Sequence, residues 1–434
     1  MSVTSRNDYL DSLLQGREAL AQSGSAWQRT LRMHALERVN ALTIPTTRDE
    51  DWRFTDLSPL YRMALRPAQS AGQVEQSRVD AFSIAEARTR LVFVDGHYAA
   101  QLSQVEAHAG VTVGNLADAA GSSIAQTHLA KLAAIDNDAF AAVNTAFLHD
   151  GALIHVAREQ IVSAPIHLLF IATRQDSAAY PRVLVVTETG AQCTIVEDFV
   201  GLAEGAYLTD AVSEIVVAEN ARVGHVRLQR ETLTAFHIGN TAVRVARGGH
   251  YATWNIVLGA RIARQNLSIV QTGEATEFFI DGLALISGRQ LSDMHSSIDH
   301  AHAHGRSRQL HKTVVGGAAH AVFNGKILVR KGAQQTDSGQ QSRNLLISDK
   351  AHVDTKPQLE IFADDVKCAH GATVGQLEAD EMFYLKSRGL SDTAARNLLT
   401  YAFAAQVIER IPVKSLVERL EQTVLEQTQT RHSE

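Results

Sequence analysis

Between about residues 150 and 370 the chain repeats one texture, a short β-branched-rich run ended by a small or polar pair. Val183-Leu184-Val185-Val186, Ile215-Val216-Val217 and Ile327-Leu328-Val329 are three of the runs. Gly190-Ala191, Asn220-Ala221, Gly249-His250, Gly273-Glu274, Gly317-Ala318, Gly332-Ala333 and Lys350-Ala351 are the breaks. β-Branched residues fit a pleated, half-buried surface, and Gly or Asn supplies the turn between such runs. Successive breaks lie 30, 29, 24, 44, 15 and 18 residues apart, irregular intervals that one or two coils of a β-solenoid occupy. Only 7 prolines occur in 434 residues, which agrees, because proline removes a donor from a stacked ladder. An antiparallel sandwich has similar turn spacing, so periodicity alone leaves both architectures open.

The flanks read differently. Leu10, Leu13, Leu14 and Leu20, then Trp27, Leu31, Leu36 and Val39, fall near helical spacing, with Gly24 between two expected helices. Residues 58–150 carry mixed signals. Beyond 376 the strand texture stops. Glu378 to Arg388 fits a helix ended by Gly389, Ser391-Asp392 is an N-cap for a second, and Pro412 opens a third. The organisation expected is therefore a helical or mixed region over 1–150, a β core over 151–376 and a helical region over 377–434. Such a tail suits either capping the open end of a solenoid or docking a partner.

Composition removes several functions. Hydrophobic residues at 45% and charged residues at 20% describe an ordinary globular chain. A net charge of −6 argues against nucleic acid or an anionic membrane as the main partner. No apolar run reaches the ~20 residues that span a bilayer, and the N-terminal MSVTSRNDYLDSLLQ is too polar for a secretion signal. The expected location is the cytoplasm, or a stroma after removal of a transit peptide. The chain contains no Gly-x-x-x-x-Gly-Lys-Ser/Thr, Gly-x-Gly-x-x-Gly, His-Glu-x-x-His or Gly-x-Ser-x-Gly, so neither ATP hydrolysis nor dinucleotide binding in a standard cradle is expected. The 2 cysteines, Cys193 and Cys368, cannot build a four-thiolate site within one chain.

Three constellations carry the remaining chemistry. His300, His302 and His304 alternate, and in a strand they would share one face about 7 Å apart; this is a secondary metal candidate or a polar face. Cys368 and His370 also share a face if extended; thiolate and imidazole are ligands for iron, zinc or copper(I), yet two ligands are half a site. Cys193 lies in an apolar run and reads as a core residue. Asp354, Glu360, Asp364 and Asp365 would be the acids of a carbohydrate-cleaving solenoid, a reading opposed by an aromatic content of only 6%.

Several longer strings are specific. Val322-Phe323-Asn324-Gly325-Lys326-Ile327, Gly332-Ala333-Gln334-Gln335-Thr336-Asp337, Asn344 to Lys350, Asp354 to Ile361, Cys368 to Gly375 and Phe383 to Gly389 resemble the SufB/SufD family of iron–sulfur cluster assembly proteins. The match is close and nearly gapless over about 290–412. Asp51-Trp52-Arg53-Phe54-Thr55-Asp56-Leu57 looks like the family's N-terminal signature. Within the family the pattern resembles the SufD type. SufB-type chains carry a cysteine where this chain has Ala351, and an acid where it has Gly371.

The resemblance implies a right-handed parallel β-helix, hence a mainly β fold, with helical N- and C-terminal regions. It implies a non-enzymatic scaffold subunit with no catalytic residue, paired with SufB through the β-helices and with the ATPase SufC through the C-terminal helices. It further implies that His370, with Cys368, faces SufB across the seam, where a transient iron–sulfur cluster is held. A reduced flavin is associated with the assembled complex, at a site nothing here locates. The isolated chain would be free to homodimerise through the surface meant for SufB. A purely architectural subunit that contributes no ligand is the alternative.

Overall fold

The runs and breaks resolve into stacked coils. A computed structural model describes residues 9, 12–14, 24–119 and 122–431. Of the first expected helix only Tyr9 and Ser12–Leu14 fall within these; Leu10 and Leu20 lie outside the described residues. The second spans Ala26–Ala41 behind Gly24, whose φ of +76° is the left-handed turn that glycine tolerates.

From Ala152 onward each coil gives one strand to each of two sheets, and every strand pairs in parallel with the strand one coil away. In the first sheet His320–Val329 pairs with Leu291–His300 on one side and His352–Ile361 on the other. In the second, Asp337–Leu346 lies between Arg306–Val315 and Lys367–Gly375. The result is a mainly β chain built on a parallel solenoid of about eight turns, with helices at both ends; the sandwich alternative is excluded by the parallel register. In-register residues are separated by 26 (Phe236 to Ile262) to 32 (His320 to His352) positions. The uneven spacing in the sequence now has a cause. Gly190, Asn220 and Gly248 turn the chain along one edge of the solenoid, whereas Gly317 turns it at the other. The short intervals near residue 340 are steps between edges.

Inward residues make the core. Phe93, Phe170 and Phe199 occupy registered positions on three adjacent strands, with ring centroids 5.1 and 4.9 Å apart. The strand carrying Phe93, Thr89–Val94, comes from the region of mixed signals, yet it is a strand of the second sheet. Helix Ala139–Ala146 is buried along its whole length, its start capped by Asp138, which accepts from Phe140 and Ala141 N–H. The C-terminal helices form at Ala379–Ser387, Asp392–Ile408 and Lys414–Arg431. The last two lay Val407, Ile408, Leu416, Leu420 and Val424 on the outward Leu228, Ile256, Leu283, Leu310 and Val314 of the second sheet. The tail thus lines a side of the solenoid and not its open end.

The aromatic ladder yields the first prediction. Phe170→Ala is expected to destabilise the chain by about 3–5 kcal/mol, because both neighbouring rings lose their packing partner. A urea midpoint indistinguishable from wild type would show that the ladder is not part of the stabilising core.

Candidate functional site

The two ends of the solenoid are treated differently. At the N-terminal end each sheet is closed by an antiparallel neighbour, Val111–Asn115 against Ala152–Val156 and His97–Tyr98 against Thr89–Val94. At the C-terminal end the terminal strands of the two sheets are His352–Ile361 and Lys367–Gly375, and each pairs on one side only. They are long, 10 and 9 residues; the first is mostly half-buried and the second mostly exposed. Around them Phe362 is 64%, Val374 48% and Ile361 40% accessible. Pro357 sits in the first of these strands, a place proline tolerates because an edge leaves donors unused.

Cys368 and His370 are on the second of these strands, in register with Ser338 and Gln340. Ser338 and Gln340 point into the solenoid and are buried, so the alternation that carries them also aims Cys368 and His370 toward the inner side of the last coil. There is no further coil above. Cys368 is therefore half-buried, resting on the core, and His370 is exposed. Below them the interior is polar. His300 Nε2 lies 2.9 Å from Ser307 Oγ, and Ser307 Oγ 2.6 Å from Ser338 Oγ, beneath Cys368. Gln340 Nε2 donates to Gln309 Oε1 at 2.9 Å, and Gln309 Nε2 donates to Ser296 Oγ at 2.9 Å, beneath His370. Burial pushes the Cys368 thiol up; the Ser338 backbone N–H opposes this and the Asp337 carboxylate adds to it. Asp337 is held low by its hydrogen bond from Arg308, 2.6 Å away.

The other sequence candidates separate. The strand carrying His300 ends at that residue, so His302 and His304 do not continue its alternation. His300 points inward and is fully buried, which pushes its pKa down to about 4 against the pull of Asp299. His302 and His304 stand exposed in the following turn, His304 at φ +59°. The three histidines do not converge. Cys193 is in the core, its thiol pushed up to about 12 by burial. Of the acids, Glu360 is ion-paired with Lys326 at 2.8 Å and Asp354 faces His320 at 2.8 Å. They form no paired-carboxylate cleft with Asp364 and Asp365, which lie in the turn between the two terminal strands.

One constellation was invisible in the sequence. The Asp51 to Leu57 signature straps the N-terminal region onto the solenoid. Arg264 stacks its guanidinium 3.8 Å from the Trp52 ring centroid and donates to the Asp51 carbonyl at 2.7 Å. Asp293 accepts from both Arg264 and Thr55 at 2.5 Å, and these partners with His295 hold its carboxyl well below the usual range despite burial. Arg264, Asp293 and His295 lie more than 200 positions from the signature, so only the folded register joins them.

A two-sheet parallel solenoid with one closed end, and one open end bearing a thiol and an imidazole, defines the structural class. The sequence matches the family description "SufBD protein N-terminal region" over residues 3–168 and "SUF system FeS cluster assembly, SufBD core domain" over residues 170–403. It is 40% identical to an iron–sulfur cluster assembly SufBD family protein of Synechocystis, covering 91% of this chain and 89% of that one. It is 33% identical to the iron–sulfur cluster assembly protein SufD of Escherichia coli, covering 89% of each. It is also 33% identical to the chloroplastic protein ABCI7 of Arabidopsis thaliana, over 94% of this chain and 87% of that one. The chain belongs to the SufBD family of iron–sulfur cluster assembly proteins and is SufD-like within it.

Two predictions follow from the burial pattern. Iodoacetamide should label the native chain once, at Cys368, and a second time only after denaturation exposes Cys193; mass spectrometry of the labelled peptides decides it. His300 and His311 are both buried with pKa values pushed down to about 4. Unfolding releases them to an ordinary value of about 6.5, so between about pH 6.5 and 4 the unfolded chain binds more protons. Stability should fall as pH drops through that window, by up to about 1.4 kcal/mol per pH unit for each histidine. The double variant H300N/H311N should show a shallower fall in urea midpoint; an unchanged slope would remove these two residues from the account.

Proposed function

We propose that this chain is a non-enzymatic scaffold subunit of an iron–sulfur cluster assembly complex, with its open end as the seam to a SufB partner. The observation that carries the reading is the coincidence of unpaired terminal strands with Cys368 and His370. An exposed edge of this length is a template for pairing with another chain, and strand addition aligns side chains across the junction. The cluster, held transiently, would take His370 and Cys368 from this side and further ligands from the partner. A Cβ built at Gly371 meets nothing within 4 Å, so packing does not demand glycine there. The space is open to a partner's groups. A SufC-type ATPase would dock on the C-terminal helical region, where Phe383 and Tyr384 are 74% and 57% exposed. Alone, the chain would be free to pair with a second copy through the same edge.

One observation favours the architectural alternative. A thiol raised by burial is protonated at neutral pH and a poor ligand until a metal displaces the proton. The two readings part on H370A and on C368S/H370A, assembled with SufB and SufC and reconstituted anaerobically. Even outer-shell changes cost metal sites about 10–100-fold, so losing a ligand should cut cluster yield about tenfold or more, with circular dichroism unchanged. Full yield from the double variant would leave the architectural reading standing. The purified chain alone should show no ATP turnover, and measurable turnover would remove the scaffold assignment.

A further inference from the structure

On the outer face of the first sheet, away from Cys368 and His370, three ligand-bearing side chains meet. His320 and His352 open adjacent parallel strands and are direct register partners. Asp354 stands two residues after His352 and so shares its face. His320 Nε2 lies 2.8 Å, and His352 Nε2 3.2 Å, from the same carboxylate oxygen, Asp354 Oδ2. The two rings are tilted by 45° with centroids 4.9 Å apart, and the three ligand atoms all lie within 4.8 Å of one another. No other such group of three occurs among the described residues. The His320 and Asp354 side chains are 26% and 25% exposed and that of His352 is 66% exposed, so an ion can enter without any rearrangement of the backbone. Lys356, the next outward residue of the strand, is engaged by Glu50 and leaves the cluster to the two imidazoles and the carboxylate.

We infer that His320, His352 and Asp354 form a binding site for a divalent transition-metal ion. Two imidazole nitrogens and one carboxylate oxygen are borderline ligands that select zinc or ferrous iron over calcium or magnesium. Three protein ligands leave at least one coordination position to water, the open form of such a site. The ligands come from two strands, and one of these is the terminal strand of its sheet. A bound ion therefore cross-links the last coil to the one beneath it. Because the ion binds the folded chain and not the separated strands, it stabilises that coil by mass action. The site is independent of the seam reading, and its ligands are not those proposed for the cluster.

The test uses tag-free full-length chain, titrated calorimetrically with zinc chloride at pH 7.5. Variant C368S/H370A removes the seam ligands and should still bind one equivalent. Adding H320A/H352A to it should abolish that equivalent or weaken it about 10–100-fold, and with it the zinc-dependent rise in thermal midpoint. Hydrogen exchange should show zinc-dependent protection confined to 320–329 and 352–361 in the first protein and absent from the second. Both histidines are outward, so the variants should fold. If they do not, Asp354→Asn, which keeps the shape and removes the charge, gives the same readout. Unaltered zinc affinity on losing these ligands, or no zinc bound by C368S/H370A, would overturn the assignment.

Discussion

Every backbone donor and acceptor in a solenoid is satisfied by the coil before it and the coil after it, and this single requirement organises the molecule. A parallel ladder cannot terminate itself, because its last strand always presents an unpaired row. The chain resolves this at one end only. Antiparallel strands close both sheets near residue 100, and the buried helix Ala139–Ala146 packs with helix Ala26–Ala41 on the outer face of the first sheet. At the other end no such closure is used, and the C-terminal helices, which have the apolar surface to cover it, lie along the side. The charges of Lys356, Glu360 and Lys367 and the missing donor of Pro357 moderate the exposed edge without closing it.

The interior changes character toward that end. The early coils stack phenylalanine on phenylalanine, whereas the last ones place Ser307, Gln309, Ser338, Gln340 and Ser342 inward. Buried polar groups are tolerable only where they satisfy one another, which the serine and glutamine columns largely do. Gln340 Oε1, directly beneath the register position of His370, has no partner. An apolar interior would have been simpler to stabilise. The polar columns make chemical sense if the row above them must hold a thiol and an imidazole at a surface and not in oil.

Much of the solenoid was legible in the sequence, because its strands are rich in β-branched residues and several of its turns place Gly or Asn in left-handed backbone, although Glu159, Ala275, His304 and Gln335 hold the same position in other coils. The tail was legible for the same local reason: Ser391 accepts the N–H of Ala394 as an N-cap, and Gly389 at φ +93° ends the helix before it. What escaped was register. His320 and His352 are 32 positions apart and become neighbours only because that coil has that length. The His300, His302 and His304 run misled for the converse reason. Alternation implies a shared face only while the strand continues, and it stops at His300. Thr89–Val94 was hidden because a single strand contributed to a distant sheet carries no periodicity of its own.

The scarcity of thiols gains meaning from the geometry. Cys193 is locked in the core, so one thiol remains, and it lies on the coil that has nothing above it. A cluster needs about four protein ligands. On the seam reading this edge would supply two, while Ala351, just before the neighbouring terminal strand, and Gly371, next to His370, carry no side-chain ligand. An isolated chain built to bind metal here would be expected to lower its thiol pKa with cations. Instead burial and Asp337 raise it. A protonated, half-buried thiol is a poor ligand on its own. On the seam reading it would become one only when a metal displaces its proton, and on the architectural reading it stays a packing residue at the edge of the core.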